Sequence, residues 1–173
     1  MQFNLNKSIE ILEKTPAILE TYLTELSDEW LFINEGENTW NPYDIVGHLI
    51  FGEKTDWIVR IKIILSKSES KIFEPFDRFA QLNEDQNIPI SQLLKTFSKL
   101  RRQNLEELKS LNISESDLNL TGIHPEFREV TLKELIATWA VHDLGHIAQI
   151  SRVMAKQYKE EVGPWINYLG ILK

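Results

Sequence analysis

Apolar residues recur every three to four positions in four stretches of the chain, at residues 5–26, 42–66, 89–111 and 132–158. This spacing places the apolar side chains on one face of an α-helix, so each stretch predicts an amphipathic helix. No stretch alternates apolar and polar positions over any length, which predicts little or no β-sheet. The pattern therefore predicts a single all-α domain, residues 1–173, built as a four-helix bundle.

Short motifs indicate where the predicted helices begin. Asn41 precedes a proline, as is typical of a helix start, and Thr131 forms a capping box with the glutamate three residues later. Pro16 lies inside the first stretch, after a threonine that can cap a new helix, so we expect this helix to be kinked or split. The connection at residues 67–88 contains three phenylalanines, and we expect it to pack on the bundle.

Composition narrows the classes of function. The formal net charge is −7, whereas a general nucleic-acid binder needs a basic face, so no nucleic-acid partner is expected. The densest basic cluster, Lys99, Arg101 and Arg102, is interpreted as the solvated face of a helix. No apolar run is long enough for a membrane span and no secretory signal is evident, so we expect a cytoplasmic protein without a membrane partner. The chain has no cysteine, so any bound metal needs nitrogen and oxygen ligands.

Three of the four histidines lie on the inward faces of predicted helices. His142 and His146 are one helical turn apart, and His48 lies on the apolar face of the second stretch. Burying three imidazoles without partners is costly, and one shared cation would satisfy all three. On this pattern alone, a metal site and a set of ordinary core histidines both fit.

Two segments resemble the ligand motifs of the DinB-like superfamily. The first is WNPYDIVGHL at residues 40–49, and the second is HPEF at 124–127 followed by TLKELIATWAVHDLGHIAQ at 131–149. The resemblance keeps order and spacing over essentially the whole chain. It implies a DinB-like four-helix bundle with long crossover connections, in which His48, His142 and His146 hold one divalent transition-metal ion. Imidazole ligands suit several such metals, of which zinc and nickel are our first two candidates.

The resemblance also implies a class of reaction. Characterised relatives include metal-dependent thiol transferases that use bacillithiol, mycothiol or glutathione, and many members form dimers. We therefore expect a homodimer that transfers a small-thiol cosubstrate to an electrophilic small-molecule substrate. Two alternatives stay open, a metal-dependent hydrolase and a non-enzymatic metal-binding or stress-response interaction module.

Further residues are candidates for roles around the metal. A hydrolase needs a general base, and the carboxylates near His48 by helical spacing are Asp44, Glu53 and Asp56. Trp139 lies one turn before His142 and is expected to form a pocket wall. His124 is interpreted as a loop residue or a contact at the rim of the site. The arginines that could bind an acidic thiol are Arg60, Arg78, Arg128 and Arg152.

Overall fold

The computed structural model describes residues 2–173, and α-helices dominate this span. The helices are α1 (Leu5–Leu23), α2 (Asp28–Phe32), α3 (Pro42–Thr55), α4 (Trp57–Leu65), α5 (Ile90–Ser110) and α6 (Leu132–Lys156). An antiparallel hairpin of β1 (Thr121–His124) and β2 (Arg128–Thr131) precedes α6. Short 3₁₀ turns lie at Ala80–Asn83, Asp117–Asn119, Gly163–Tyr168 and Gly170–Leu172. The prediction of an all-α fold with little sheet is confirmed.

Four helical columns form the bundle, namely α1, α3 continued by α4, α5 and α6. Both α1 and α3 pack against α5 and α6, whereas α1 and α3 share no extensive contact within the described residues, and neither do α5 and α6. The columns α1 and α3, which follow each other along the chain, therefore lie at diagonally opposite corners of the bundle, and so do α5 and α6. The connection within each of these pairs must cross an end of the bundle, which confirms the predicted crossover connections.

The interior consists of two apolar clusters with a polar layer between them. One cluster includes Leu12, Trp57 and Ile136, and the other includes Leu19 and Phe97. Along each column, a buried polar residue separates the side chains of one cluster from those of the other. These residues, which we call the polar layer, are Thr15, Glu53, Arg101 and Asp143.

Arg101 is the centre of the polar layer and is only 1% exposed, so its prediction as part of a solvated face is wrong. Its Nε and Nη2 donate to Oε1 of Glu53 at 3.1 and 2.8 Å, and Nη2 also donates to Oδ1 of Asp143 at 3.0 Å. Trp139 and Asn104 donate to the same Glu53 carboxylate at 3.1 and 2.9 Å. Burial acts to lower the pKa of Arg101, but the two carboxylates outweigh it and raise that pKa.

The first helix continues through Pro16, so of the two expected outcomes, a kink or a split, the split is wrong. Proline has no backbone N–H, which leaves the carbonyl of Leu12 without its partner in the helix. Nη1 of Arg101 donates to that carbonyl at 3.0 Å. A buried side chain from α5 thus replaces the missing helical hydrogen bond.

The second column is interrupted at Asp56, where a continuous helix over 42–66 was expected. The backbone there has φ −112° and ψ −81°, outside the helical region. The indole of Trp57 lies over Gly52, where an added Cβ would be 3.2 Å from its Nε1. The interruption therefore places a tryptophan beside α3 and turns Asp56 away from the regular helical path.

Gly122 in β1 allows Phe73 to pack directly on the backbone. An added Cβ would lie 2.5 Å from two ring atoms of Phe73 and 3.0 Å from Cγ1 of Ile64. Both neighbours are buried, so we expect Gly122→Ala to lower the free energy of unfolding by about 1–3 kcal/mol, as overpacking does. Urea unfolding followed by tryptophan fluorescence measures the change.

Gly145→Ala is the matched control, because a Cβ at Gly145 would meet nothing within 4 Å in the described structure. Gly145 lies inside α6, where alanine is expected to stabilise the helix by up to about 1 kcal/mol. Equal stabilities of Gly122→Ala and the wild type would contradict the packing at β1.

Candidate metal centre

His48 on α3 and the pair His142 and His146 on α6 converge at one point. Nε2 of His142 lies 3.2 Å from Nε2 of His48 and 3.0 Å from Nε2 of His146. One ring nitrogen from each histidine lies within 4.8 Å of the others. The structure thus brings the three predicted ligands together.

These distances fit one shared ion. Three nitrogens bound to one ion at about 2.0–2.1 Å in tetrahedral directions lie about 3.4 Å apart. Burial lowers the pKa of His48 to about 4 and that of His142 to about 2, and it also lowers the pKa of His146. The rings are therefore neutral at neutral pH, and a cation between them would satisfy three lone pairs at once.

A neighbour on α6 determines which nitrogen of His146 faces the centre. Nδ1 of His146 lies 2.8 Å from Oε1 of Gln149. An amide oxygen only accepts hydrogen bonds, so Nδ1 carries the proton and Nε2 presents its lone pair to the other histidines. Such a partner behind a ligating ring is typical of metal sites.

A cavity of about 530 Å³ is bordered by all three histidines. Its wall is largely aromatic, formed by Trp40, Trp57, Phe73, Phe76 and Phe127. Ring contacts hold the ligands: Trp40 lies against His48 with centroids 4.7 Å apart, and Trp57 meets His142 edge-on at 5.0 Å. The connection at 67–88 packs on the bundle as predicted, and it also supplies part of this wall.

Of the three carboxylates considered as general bases, the cavity is bordered by Asp56. Asp44 instead accepts from the backbone N–H of Asn41 at 3.3 Å in a capping box, and Glu53 belongs to the polar layer. Both of these candidates are therefore wrong. Burial raises the pKa of Asp56 to about 6, although the paired guanidinium of Arg60 acts to lower it.

Trp139 does not form the pocket wall, so that prediction is wrong. Its side chain is fully buried, and its Nε1 donates to Glu53. Trp57 stacks on it with centroids 5.8 Å apart and itself borders the cavity. After the interruption before α4, Trp57 occupies the place in the cavity wall that was predicted for Trp139.

The arginines divide into two groups. Arg60 and Arg78 border the cavity, whereas Arg128 does not, and Arg152 pairs with Glu35 at 2.6 Å. Arg78 lies over the rings of Trp40 and Phe79, 5.7 and 5.2 Å from their centroids. It forms no ion pair within residues 2–173, so its positive charge is available in the cavity.

Comparison with known proteins identifies the family. The sequence profile of the DinB superfamily matches residues 11–150. The chain belongs to the DinB superfamily. Two relatives of this DinB-superfamily protein are named as candidate metal-dependent hydrolases. One, from Oceanobacillus iheyensis, is 25% identical over 155 residues, which cover 88% of this chain and 87% of the relative. The other, YfiT from Bacillus subtilis, is 24% identical over 151 residues, which cover 86% and 83%.

A solved structure of YfiT from Bacillus subtilis supports the DinB-type fold. It superposes with a TM-score of 0.73 at 20% identity, over 88% of this chain and 86% of that chain. It is described as a four-helix bundle of unusual topology, in agreement with the diagonal arrangement above.

Two further expectations, one about membranes and one about a homodimer, concern the surface of this DinB-superfamily protein. Within residues 2–173, no helix combines the length and apolar character that crossing a membrane requires. Trp165 and Tyr168 near the C-terminus are 69% and 83% exposed. The homodimer stays a prediction, as does the cytoplasmic location.

Proposed function

We propose that this protein is a metal-dependent enzyme that transfers a small thiol to an electrophilic substrate. The observation that carries the proposal is the convergence of three neutral imidazoles on a cavity that is also bordered by Arg78, which has no carboxylate partner in residues 2–173. A divalent ion bound by His48, His142 and His146, with zinc and nickel as candidates, would keep a free coordination position and lower the pKa of a thiol or water there.

The chain's own residues would bind and orient the reactants. Because the chain has no cysteine, the reacting sulfur must come from a cosubstrate. Many small cellular thiols, bacillithiol among them, carry carboxylates, and Arg78 can bind a carboxylate through its forked donors. The aromatic wall around Phe76 and Trp57 would exclude water from the electrophile.

Hydrolysis is the second candidate, because Asp56 borders the same cavity. A carboxyl with a pKa raised to about 6 is largely ionised at pH 7, so Asp56 could accept a proton from an attacking water. Activity that depends on this carboxylate would rise as the pH increases through about 6. The names of the two relatives favour this candidate.

The test is conjugation of bacillithiol to 1-chloro-2,4-dinitrobenzene by the full chain loaded with zinc or nickel. We expect metal-dependent conjugate formation. Arg78→Ala should raise KM for bacillithiol at least about tenfold with little change in kcat, since a hydrogen bond to a charged group contributes about 1.5–3 kcal/mol. Absorbance of the conjugate gives both constants.

Two controls isolate the role of Arg78. Arg102→Ala removes an exposed arginine outside the cavity and should change neither constant. Cysteamine has no carboxylate, so its KM should be insensitive to Arg78→Ala. Absence of metal-dependent conjugation with bacillithiol, mycothiol and glutathione would refute thiol transfer. Thiol-independent cleavage of an ester panel, suppressed in Asp56→Asn, would then support hydrolysis, and inactivity in both assays would favour the interaction module.

A further inference from the structure

The turn between β1 and β2 reaches the cavity, and the proposed reaction gives it no role. His124, the last residue of β1, and Phe127, in the turn, both border the cavity. Nδ1 of His124 accepts hydrogen bonds from the backbone N–H groups of Glu126 and Phe127, at 3.1 and 3.3 Å. The sequence predicted a loop or rim residue here, and the structure shows that its ring is held in a defined orientation.

The two backbone donors determine the tautomer of His124. An N–H group can bond only to a lone pair, so Nδ1 is unprotonated and the neutral ring carries its hydrogen on Nε2. Burial lowers the pKa of His124, and the nearby Arg60 adds to this effect, so the neutral ring is favoured at neutral pH. Nε2 forms no hydrogen bond with the described residues, so its N–H is an available donor beside the cavity.

Packing holds this donor next to an apolar surface. The ring of His124 stacks on Phe127 with centroids 4.5 Å apart and an interplanar angle of 17°. The strand that carries it is attached to the preceding connection, since the N–H of Phe73 donates to the carbonyl of Ile123 at 2.9 Å. Phe127 itself is 70% exposed, which leaves its ring free to cover a ligand.

We propose that His124 is a substrate-binding residue whose Nε2–H donates to a carboxylate oxygen of an apolar acid lying against Phe127. The acidic class follows from two donors that border the same cavity, the Nε2–H of His124 and the guanidinium of Arg78, which has no carboxylate partner among the described residues. Asp56, Glu126 and Glu134 also border the cavity, and Asp56 is paired with Arg60, so the acid is expected on the side of Arg78. The apolar class follows from the aromatic wall. This proposal rests on the proposed function in one respect, that the cavity is the substrate site.

Benzoate is the probe, because it joins one carboxylate to one aromatic ring. Long-range ¹H–¹⁵N correlation spectra should show His124 protonated on Nε2 and unprotonated on Nδ1, and titration with benzoate should shift the Nε2 signal. His124→Asn is the informative variant, since its Oδ1 can still accept from the backbone of the turn while the Nε2 donor is lost. We expect it to raise the Kd of benzoate about tenfold.

Glu129→Gln is the matched control, because Glu129 lies on β2 of the same hairpin and outside the cavity. It should leave the Kd unchanged, and backbone amide shifts should show the hairpin intact in both variants. The proposal is overturned if wild type does not bind benzoate in the millimolar range, if Nδ1 carries the proton, or if His124→Asn binds benzoate as wild type does.

The two proposals fail separately. Benzoate binding is measured on metal-free and metal-loaded protein and needs no turnover. If His124→Asn weakens benzoate binding while no thiol is transferred, thiol transfer alone is refuted. If bacillithiol is conjugated and the variant binds benzoate normally, the role of His124 alone is refuted.

Discussion

Arg101→Met is expected to lower the free energy of unfolding by about 3–5 kcal/mol, because removing one partner of a buried ion pair leaves the other charged and unpaired. Here two carboxylates, Glu53 and Asp143, would lose that partner, and both side chains are inaccessible to solvent. The carbonyl of Leu12 beside Pro16 would lose its donor as well. Methionine fills much of the same volume as arginine, so the loss of stability would result from the missing charge and not from a cavity.

Urea unfolding followed by circular dichroism measures this loss. Arg102→Met is the control, since Arg102 is the next residue on α5 and is exposed, and its substitution should change the stability by no more than about 0.5 kcal/mol. Arg101→Lys tests the geometry, because lysine keeps the charge but cannot reproduce the forked contacts. A change below about 1 kcal/mol in Arg101→Met would be inconsistent with the buried ion pairs.

His142→Ala is expected to abolish binding of a divalent metal ion. His142 lies between the other two ligands, with its Nε2 within 3.2 Å of both partner nitrogens. Loss of a partner behind a ligand already weakens metal binding by about 10–100-fold, so loss of the central ligand should weaken it more. Elemental mass spectrometry of untagged protein should find about one equivalent of metal in wild type and background in the variant.

Thermal unfolding gives an independent measurement on the same two proteins. A metal that binds the folded state stabilises it by about 4 kcal/mol at a thousand times its Kd, so zinc or nickel should raise the Tm of wild type but not of His142→Ala. His124→Asn should retain both the metal and the shift in Tm. Wild type that binds neither zinc nor nickel would show that the three histidines are an ordinary part of the core.

The sequence alone was sufficient for the bundle and for the three histidines, because both depend on periodicity within single helices. His142 and His146 share a face by their spacing, and the cap at Thr131 fixes the start of their helix. The pattern left a metal site and a set of ordinary core histidines both open, since helical spacing does not say which faces meet, and the resemblance favoured the metal site. The family match over residues 11–150 and the bundle topology of YfiT agree with that resemblance.

Long-range partners explain the errors. Arg101 lies beside two exposed basic residues in sequence, and its carboxylates are 48 and 42 positions away. No local pattern distinguishes such an arginine from a solvated one. The same side chain donates to the carbonyl that Pro16 leaves free, so one unforeseen contact bears both on the buried arginine and on the unsplit α1. Trp57 borders the cavity in the place predicted for Trp139, because the second column is interrupted at Asp56. Local periodicity does not reveal this interruption.

The origin of the cavity wall has an evolutionary consequence. The three histidines and the polar layer lie on the helices, whereas Phe73, Phe76 and Arg78 come from the connection before α5 and Phe127 comes from the hairpin turn. Connections accept substitution and insertion more readily than packed helices do. Descendants of one ancestral bundle could therefore diverge in what they bind while inheriting the same metal ligands, and paralogues should differ first at residues 67–88.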